Sequence, residues 1–258
     1  MPYETLRYAV DGGVATITLN RPDVMNGLNA QMRLEITHAF QHAPQEARVI
    51  VLTGAGRGFC SGQDLGDRTS AADLDIERTL REEYEPMLRA IYDCPIPTIA
   101  AVNGPAAGAG ANLALAADVV IAANSAVFIQ AFARIGLIPD AGGTYWLPRQ
   151  IGFSRAMGAA LFAEPVTAEQ AAAWGMIWEV VPDADFAAVV QSRAARLATG
   201  PTVSYRLIKQ ALRQSFANDL VAQLDLEAAL QGEAGKTRDF REGVMAFLEK
   251  RSPDYEGR

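Results

Sequence analysis

The sequence predicts an α/β fold, and three observations carry this prediction. Short apolar segments of strand character alternate with helical segments through the first half of the 258-residue chain. Several of these strands are apolar at every position, which is typical of strands covered on both faces. From Gly143 onward the pattern is almost entirely helical. Half of the residues are hydrophobic, so the chain can bury a substantial core.

The predicted strands are short runs of apolar, often β-branched residues. The chain opens on a hairpin, in which Asp11-Gly12-Gly13 supplies the turn between two strands. Asn20-Arg21-Pro22 ends the second of these strands. Further strands are predicted at residues 49–52, 98–102 and 119–122.

The predicted helices are placed by apolar spacing and by residues that start or stop helices. Thr167 and Gln170 form a capping-box pair before a short helix that Gly175 closes, and Pro201 opens another. Further helices are predicted at residues 30–42, 74–92, 111–117, 220–230 and 240–250. No internal repeat or linker is visible, so we expect a core over residues 1–200 and a C-terminal helical region over residues 201–258.

Composition excludes several classes of function. A net charge of −7 argues against a nucleic-acid partner, although a few local arginines can still hold phosphates. The two cysteines, Cys60 and Cys94, show no disulfide or zinc spacing, which fits a reduced, cytoplasmic setting. The first residues lack a signal-peptide pattern. Asp118 interrupts the longest apolar stretch, so no membrane span is expected.

Two glycine-rich loops, residues 54–62 and 103–110, each follow a buried strand. Small residues let main-chain amides approach a ligand, and paired amides can stabilise a developing oxyanion. Both loops lack the third glycine of a dinucleotide fingerprint, and neither carries a Walker lysine. From the glycines alone, ordinary tight turns are the favoured interpretation.

Candidate metal ligands and nucleophiles are few. His38 and His42 are the only histidines, and their spacing on a predicted helix could bind a metal. No third ligand accompanies them, so we expect a pair on the helix surface and no metal site. Cys60 lacks an evident base, and a small buried thiol is the favoured interpretation.

Asp140 is the acid that stands out. It lies in Gly136-Leu137-Ile138-Pro139-Asp140, an apolar segment that ends in a glycine-containing loop. Desolvation there would raise the pKa of the carboxyl group and make it a useful base at neutral pH. The alternative is structural, because aspartate is also a favoured N-cap and a helix is predicted near Gly143. The local sequence leaves both interpretations open.

Several motifs, in the same order along the chain, resemble those of the crotonase (enoyl-CoA hydratase/isomerase) superfamily. Residues 54–65, from Gly-Ala-Gly-Arg-Gly-Phe to Gln-Asp-Leu, look like the first signature, residues 101–118 like the second and residues 128–143 like the third. Asn20-Arg21-Pro22, with Asn26 and Leu28, is similar to the family's N-terminal region. The resemblance covers nearly the whole chain.

The resemblance implies a spiral of ββα units with two roughly perpendicular sheets and a C-terminal helical trimerisation region. It implies an acyl-CoA thioester as substrate and a homotrimer or homohexamer as the assembly. It also implies an oxyanion hole for the thioester carbonyl, whose donating amides by position are those of Gln63 and Ala109, next to Gly108. No cofactor is implied, since coenzyme A is part of the substrate.

Departures from the family pattern point to a subtype. Hydratases of the family use two glutamates, whose positions match Asn112 and Phe132 here. Asp140 matches the acid of the dienoyl-CoA-type isomerases. Other segments, such as Gly175-Met176-Ile177-Trp178, resemble the isomerases that act on a ring epoxide in aerobic phenylacetate breakdown. We therefore expect an acyl-CoA isomerase that shifts a double bond, and opens a ring epoxide to an oxepin, with Asp140 as acid and base.

The remaining expected contacts follow from the same resemblance. Phe132 would line the site and keep water out, and Asn112 could orient the acyl group or the carboxylate, although a polar residue without function is the alternative. Ordinary surface and core packing are the alternatives for Arg21 and Tyr145. The predicted substrate-binding residues along the coenzyme A path and the acyl pocket are Arg21, Val24, Cys60, Asp64, Leu65 and Tyr145.

Other classes of function stay open at this point. A hydratase-like enzyme is one, and an aryl-CoA dehalogenase or hydrolase that uses Asp140 as a nucleophile is another. The scarcity of histidine argues against the latter, because its water would need a base. A non-catalytic acyl-CoA-binding homologue is the third, since a fold does not guarantee a reaction.

Overall fold

A computed structural model describes residues 3–64, residue 66 and residues 75–258 of the chain. In this part of the chain, six strands form a sheet in the order β1-β2-β3-β4-β6-β9. The β1/β2 pair is antiparallel and the other pairs are parallel. The strands are β1 (Leu6–Asp11), β2 (Val14–Leu19), β3 (Val49–Gly54), β4 (Thr98–Val102), β6 (Val119–Ala123) and β9 (Glu179–Val181).

A smaller sheet has the order β5-β7-β8 and lies beside the two glycine-rich loops. Isolated bridges extend its edge, because Cys60 pairs with Ala106 of β5 and Gln63 pairs with Leu28. The loop that contains residues 60–63 is therefore fixed between β5 and the segment after β2. The three strands are β5 (Ala106–Ala107), β7 (Val127–Ile129) and β8 (Val166–Thr167).

The helices cover the sheets and form the whole C-terminal part. One helical run joins α2 (Ile76–Thr79) and α3 (Glu85–Tyr92) through a π-helical turn, Leu80–Tyr84. The other helices are α1 (Ala30–His42), α4 (Ala109–Leu115), α5 (Gly143–Ile151), α6 (Phe153–Phe162), α7 (Ala168–Trp174), α8 (Phe186–Ala198), α9 (Thr202–Gln214), α10 (Leu220–Ala234) and α11 (Arg238–Glu249).

Most of the predicted elements are confirmed. The hairpin turns at Gly12 and Gly13, both with positive φ, and α1 has the predicted bounds. Thr167 caps α7 by accepting a hydrogen bond from the Gln170 amide, and Gly175 ends it in the left-handed conformation. The described chain from Gly143 onward is mostly helical, as predicted, and the two short strands β8 and β9 within it were not predicted. The predicted start of the charged helix at residue 74 lies outside the described residues.

The main core lies between the large sheet and the helices α1, α3 and α4. A few polar side chains are buried with it, among them Asn26, Arg33, Asn112 and Gln130. No helix in the described part of the chain is long and apolar enough to cross a membrane. The C-terminal helices expose many large apolar side chains, including Leu224 on α10 and Phe247 on α11.

Candidate active site

A cavity of about 280 Å³ opens where the two glycine-rich loops meet the helical run of residues 76–92. Its lining is mostly apolar, and Asp140 is the one carboxylate among the described residues that line it. The described lining residues are Ser61, Gly62, Gln63, Ile76, Thr79, Leu80, Tyr84, Gly108, Ala109, Ala131, Phe132, Arg134, Ile135, Leu137 and Asp140.

Asp140 is held in this cavity without a hydrogen-bond partner for its carboxylate. Its Oδ1 atom is buried and contacts no donor among the described residues. Burial raises the pKa of the Asp140 carboxyl group to about 6, because desolvation disfavours the charged form. The N-cap alternative is wrong, since Gly142 is the N-cap of α5 and no side chain caps that helix. The carboxylate is left available for a ligand.

The main chain of Asp140 is held by the buried side chain of Asn112, which is itself held by the buried side chain of Gln130. Asn112 donates from Nδ2 to the Asp140 carbonyl at 2.7 Å and accepts at Oδ1 from Gln130 Nε2 at 2.8 Å. Gly143 must be glycine because a Cβ there would lie 2.4 Å from Asn112 Nδ2. Asn112 therefore fixes the backbone that carries the carboxylate and does not itself line the cavity.

The two predicted amide donors lie on facing segments of the cavity wall. Leu28 N–H donates to the Gly62 carbonyl at 2.7 Å, and the C=O and N–H of a trans peptide point in opposite directions. The Gln63 N–H therefore points away from Leu28. Gly62 packs so closely on the other segment that a Cβ on it would lie 3.2 Å from Ala109 N. Among the described residues, neither the Gln63 nor the Ala109 amide has an acceptor.

Two free amides beside a desolvated carboxylate can bind a carbonyl oxygen and move a proton on the adjacent carbon. The profile of the Enoyl-CoA hydratase/isomerase family matches residues 9–258 of this chain. The chain belongs to the enoyl-CoA hydratase/isomerase family, the crotonases. This crotonase is thus a member of a family of enzymes that act on acyl-CoA thioesters.

Relatives and solved structures agree with the family over the full length. The chain is 64% identical over 258 residues to a "Probable enoyl-CoA hydratase" of Rhodobacter capsulatus, covering all of both chains. It is 49% identical to the "1,2-epoxyphenylacetyl-CoA isomerase" of Escherichia coli, covering 96% of this chain and 97% of that one. A crystal structure of an enoyl-CoA hydratase from Bacillus anthracis superposes with a TM-score of 0.91 at 32% identity, covering 99% and 100%. The chain therefore has the crotonase fold.

Five of the predicted site residues meet at the cavity of this crotonase. Gln63, Gly108, Ala109, Phe132 and Asp140 all line it. Phe132 is 6% exposed and presents an apolar ring in this lining. Among the described residues that line the cavity, Asp140 therefore has no second carboxylate beside it.

The described residues predicted along the coenzyme A path lie outside the cavity lining. The charge of Arg21 is paired within the protein, because its Nη1 atom contacts Asp64 Oδ2 at 2.7 Å and donates to the Gly27 carbonyl at 2.6 Å. Val24 is exposed on the adjacent short helix. Leu65 lies outside the described residues. A role for Arg21, Val24 and Asp64 in binding coenzyme A stays a prediction.

Two of the predicted substrate-binding residues, Cys60 and Tyr145, do not line the Asp140 cavity, and their roles stay predictions. The Cys60 thiol is fully buried and donates to the Asn26 carbonyl at 3.1 Å, and burial raises its pKa to about 12, so it faces the loop interior rather than a ligand. Tyr145 does not line the Asp140 cavity. It lines a second cavity of about 470 Å³ with Tyr92 and Trp146, because α5 directs this face toward α9.

Three residues at the site escaped the sequence analysis: Arg33, Tyr84 and Gln130. Tyr84 lines the cavity, and Arg33 and Gln130 are buried behind it. A signal existed for Arg33, since it shares the apolar face of α1 with Ile36 and Phe40. A cation on such a face indicates a buried, paired charge. Tyr84 and Gln130 gave no comparable signal.

Proposed function

We propose that this crotonase is an acyl-CoA isomerase that moves a carbon–carbon double bond, with Asp140 as its acid and base. The observation that carries the proposal is the single carboxylate in the cavity lining that the structure describes. Isomerisation moves one proton between two carbons of the same substrate, and one carboxylate can do both transfers. Hydration by the family's two-glutamate route needs a second acid.

Binding would place the thioester oxygen between the amides of Gln63 and Ala109. Proton removal from the carbon next to the carbonyl, or conjugated with it, turns the thioester into an enolate with negative charge on this oxygen. Fixed amides stabilise that charge more than they stabilise the neutral carbonyl, which lowers the barrier. Removing one such donor typically costs about 2.7–4 kcal/mol of transition-state stabilisation.

The proton transfer is balanced within the site. The Asp140 carboxylate takes the proton, the C–H electron pair enters the conjugated system, and the double bond shifts. The protonated Asp140 then returns the proton to the far end of that system. The carboxylate is regenerated, and the product has the same composition as the substrate. Phe132 supports this course because its ring occupies space that a water molecule would need for hydration.

We extend the proposal to a ring epoxide as the physiological substrate. The similarity to the 1,2-epoxyphenylacetyl-CoA isomerase of Escherichia coli supports it, as does the apolar lining formed by Leu80, Phe132 and Leu137, which suits a cyclic hydrocarbon group. In this reaction the bond between the two epoxide carbons opens and oxygen enters an enlarged ring, the oxepin. No atom is gained or lost, so the enzyme needs no water and no co-substrate.

A second candidate is enoyl-CoA hydration. The similarity to the probable enoyl-CoA hydratase of Rhodobacter capsulatus favours it, because the identity to that protein is higher than to the isomerase. The two candidates predict different products from the same acyl-CoA, because hydration adds the mass of one water and isomerisation adds none.

The test uses Asp140→Asn and the unaltered protein with a 3-enoyl-CoA ester and with the phenylacetate-derived ring epoxide. We expect a product of unchanged mass from the unaltered protein with either substrate, and for Asp140→Asn a loss of roughly a hundredfold or more in turnover of the 3-enoyl-CoA, the reaction that moves a proton. Wild-type turnover by Asp140→Asn would remove Asp140 from the base role. A 2-enoyl-CoA is assayed beside them, and its conversion to a product heavier by one water would establish the hydratase.

The same samples distinguish the remaining alternatives. A covalent adduct on Asp140, seen by mass spectrometry of the intact protein, would establish a nucleophilic dehalogenase or hydrolase. Binding of acyl-CoA without exchange of its α-protons in deuterated water would establish a non-catalytic binder. We also propose a homotrimer or a homohexamer as the working assembly, supported by the apolar side chains that the C-terminal helices expose.

A further inference from the structure

The side chain of Gln63 is held as firmly as a core residue, although the proposed reaction uses only its main-chain amide. Its Oε1 atom accepts from the Tyr84 hydroxyl at 2.7 Å and from Arg33 Nη1 at 3.0 Å. Its Nε2 atom donates to the Asp64 carbonyl at 3.2 Å. Both lone pairs of the carboxamide oxygen are therefore in use, and the side chain cannot rotate without losing them.

Arg33 also holds the segment with which Gln63 pairs. Its Nη1 atom donates to the Leu28 carbonyl at 2.7 Å. That carbonyl accepts from the Asp64 amide, while the Leu28 amide donates to Gly62, so these two bonds on one edge leave the Gln63 N–H directed to the opposite edge. One guanidinium thus fixes both segments of the bridge that sets the direction of this amide.

The charge of Arg33 is compensated inside the protein. Arg33 is 1% exposed, its Nε atom donates to Glu83 Oε2 at 3.0 Å, and its Nη2 atom contacts the same oxygen. Its guanidinium carbon lies 4.8 Å from the centroid of the Tyr84 ring. Glu83 and Tyr84 both belong to the π-helical turn, a feature that is frequent at functional sites. A buried cation needs such pairing. Here the contact with Glu83 joins α1 to the helical run of residues 76–92, and the hydrogen bond to Gln63 joins α1 to the loop that contains residues 60–63.

We propose that Arg33 and Tyr84 are positioning residues that hold the Gln63 carboxamide, so that its main-chain N–H stays directed at the thioester oxygen. This inference rests on the proposed function, because it assigns a purpose to the anchoring of the oxyanion donor. A fixed donor stabilises the enolate without reorganisation, whereas a displaced donor loses most of that effect. Displacements near 1 Å can cost about a hundredfold in rate.

The test replaces Tyr84 by Phe, which keeps the ring and removes the hydroxyl group that donates a hydrogen bond to Gln63 Oε1. Tyr92→Phe is the matched control, because Tyr92 lies further along the same helical run and lines the other cavity. Two readouts are measured: kcat and KM of isomerisation, and the infrared stretch of an isotope-labelled thioester carbonyl in a bound saturated acyl-CoA. The stretch moves to lower frequency as hydrogen bonds to the carbonyl strengthen, which a role in stability alone would not change.

We expect Tyr84→Phe to lower kcat by about 10- to 100-fold with little change in KM, and to shift the carbonyl stretch toward its value in water. Tyr92→Phe should match the unaltered protein in both readouts. Gln63→Met keeps the main-chain amide of residue 63 and removes the side-chain oxygen that Tyr84 and Arg33 hold. It should repeat the result of Tyr84→Phe, and it replaces that variant in the test if Tyr84→Phe does not fold.

An unshifted carbonyl stretch in both Tyr84→Phe and Gln63→Met would overturn the proposal, whatever happens to kcat. The Asp140→Asn variant separates this outcome from a failure of the proposed function. It should keep the low carbonyl frequency while losing turnover. If Asp140→Asn stays active, the base assignment fails, and the infrared comparison still decides whether Tyr84 positions the oxyanion donor.

Discussion

At the scale of the residue, the proposed chemistry depends on what the cavity does to one carboxyl group. Burial raises the pKa of Asp140 to about 6 from an ordinary value of 3.8, and its Oδ1 atom has no donor among the described residues. A base is most effective when its pKa lies near the working pH, because it is then both ionised and basic. Perturbed carboxyl groups of this kind cluster at functional sites.

The shifted pKa predicts the pH dependence of activity. Asp140 must be ionised to accept a proton, so kcat/KM should be level above about pH 7 and fall roughly tenfold per pH unit below about pH 6. The measurement is the pH profile of isomerisation with a 3-enoyl-CoA. A profile that stays level down to about pH 4.5 would mean that a group with an ordinary carboxyl pKa is the base.

The same desolvation predicts that Asp140 lowers the stability of the fold. Its pKa is higher in the folded than in the unfolded state, so the cost of burying the charge is complete above about pH 6 and disappears as the pH falls toward 3.8. Asp140→Asn should therefore raise the free energy of unfolding by roughly 1–3 kcal/mol near neutral pH, with the difference vanishing in acid. Urea unfolding at both pH values measures it, and a less stable variant would contradict it.

Local sequence was enough to find Asp140 but not the residues that hold its surroundings. The apolar segment around Asp140 predicts desolvation without any knowledge of the fold. Gln130 and Tyr84 act through partners that are distant in the chain, Asn112 and Gln63. Nothing near them in the sequence shows which side chains they will meet, so their roles appear only in three dimensions.

At the scale of the element, one buried asparagine fixes the first glycine-rich loop. Asn26 is fully buried, accepts from the Arg21 amide at Oδ1 and donates from Nδ2 to the carbonyls of Ala55, Gly58 and Phe59. The loop that leads to Gln63 has few regular hydrogen bonds of its own. Its shape therefore depends on a side chain from the segment after β2.

We predict that Asn26→Asp strongly destabilises the protein. The substitution keeps the shape but turns a donor toward three carbonyls into a buried acceptor, which leaves unpaired polar groups and a desolvated charge. The free energy of unfolding should fall by about 3 kcal/mol or more. Ser61→Ala is the control, since its exposed hydroxyl makes one hydrogen bond to the Val24 carbonyl in the same region. Unchanged stability of Asn26→Asp would show that the loop is held by other contacts.

Long, periodic elements were predictable, and the shortest ones were not. The hairpin and α1 follow from turn residues and apolar spacing within one segment. The strands β5 and β8 are two residues long and exist because of the partners they meet across the small sheet. The π-helical turn was also missed, since its sequence is that of an ordinary charged helix. Such elements are decided by tertiary contacts rather than by propensity.

At the scale of the whole molecule, a half-buried ion cluster joins the C-terminal helices to the core. Asp118, at the start of β6, accepts from Lys209 Nζ at 2.7 Å and from Arg213 Nη2 at 2.6 Å, both on α9. Beyond this attachment, α10 and α11 expose a row of apolar side chains, and Phe247 is 83% exposed. Apolar faces of this extent are typical of interaction surfaces.

We predict that this exposed face joins copies of the chain into a trimer or hexamer. Phe247→Glu should then shift the molar mass in solution toward the monomer, because a buried charge at an interface is costly. Gln191→Glu, on the surface of α8, adds the same charge outside this face and should leave the assembly unchanged. Light scattering after size-exclusion chromatography gives both masses. A monomeric unaltered protein, or an assembly that tolerates Phe247→Glu, would contradict the prediction.

The most direct test of the central claim follows one hydrogen atom. A 3-enoyl-CoA with deuterium at the carbon beside the thioester is converted in ordinary water, and the label is located in the product. If a lone, sheltered Asp140 carries the proton between two carbons of one substrate, part of the deuterium will reappear at the far carbon, and Asp140→Asn will abolish this transfer. A product that contains only hydrogen from solvent at that carbon, or label transfer that persists in Asp140→Asn, would contradict the account.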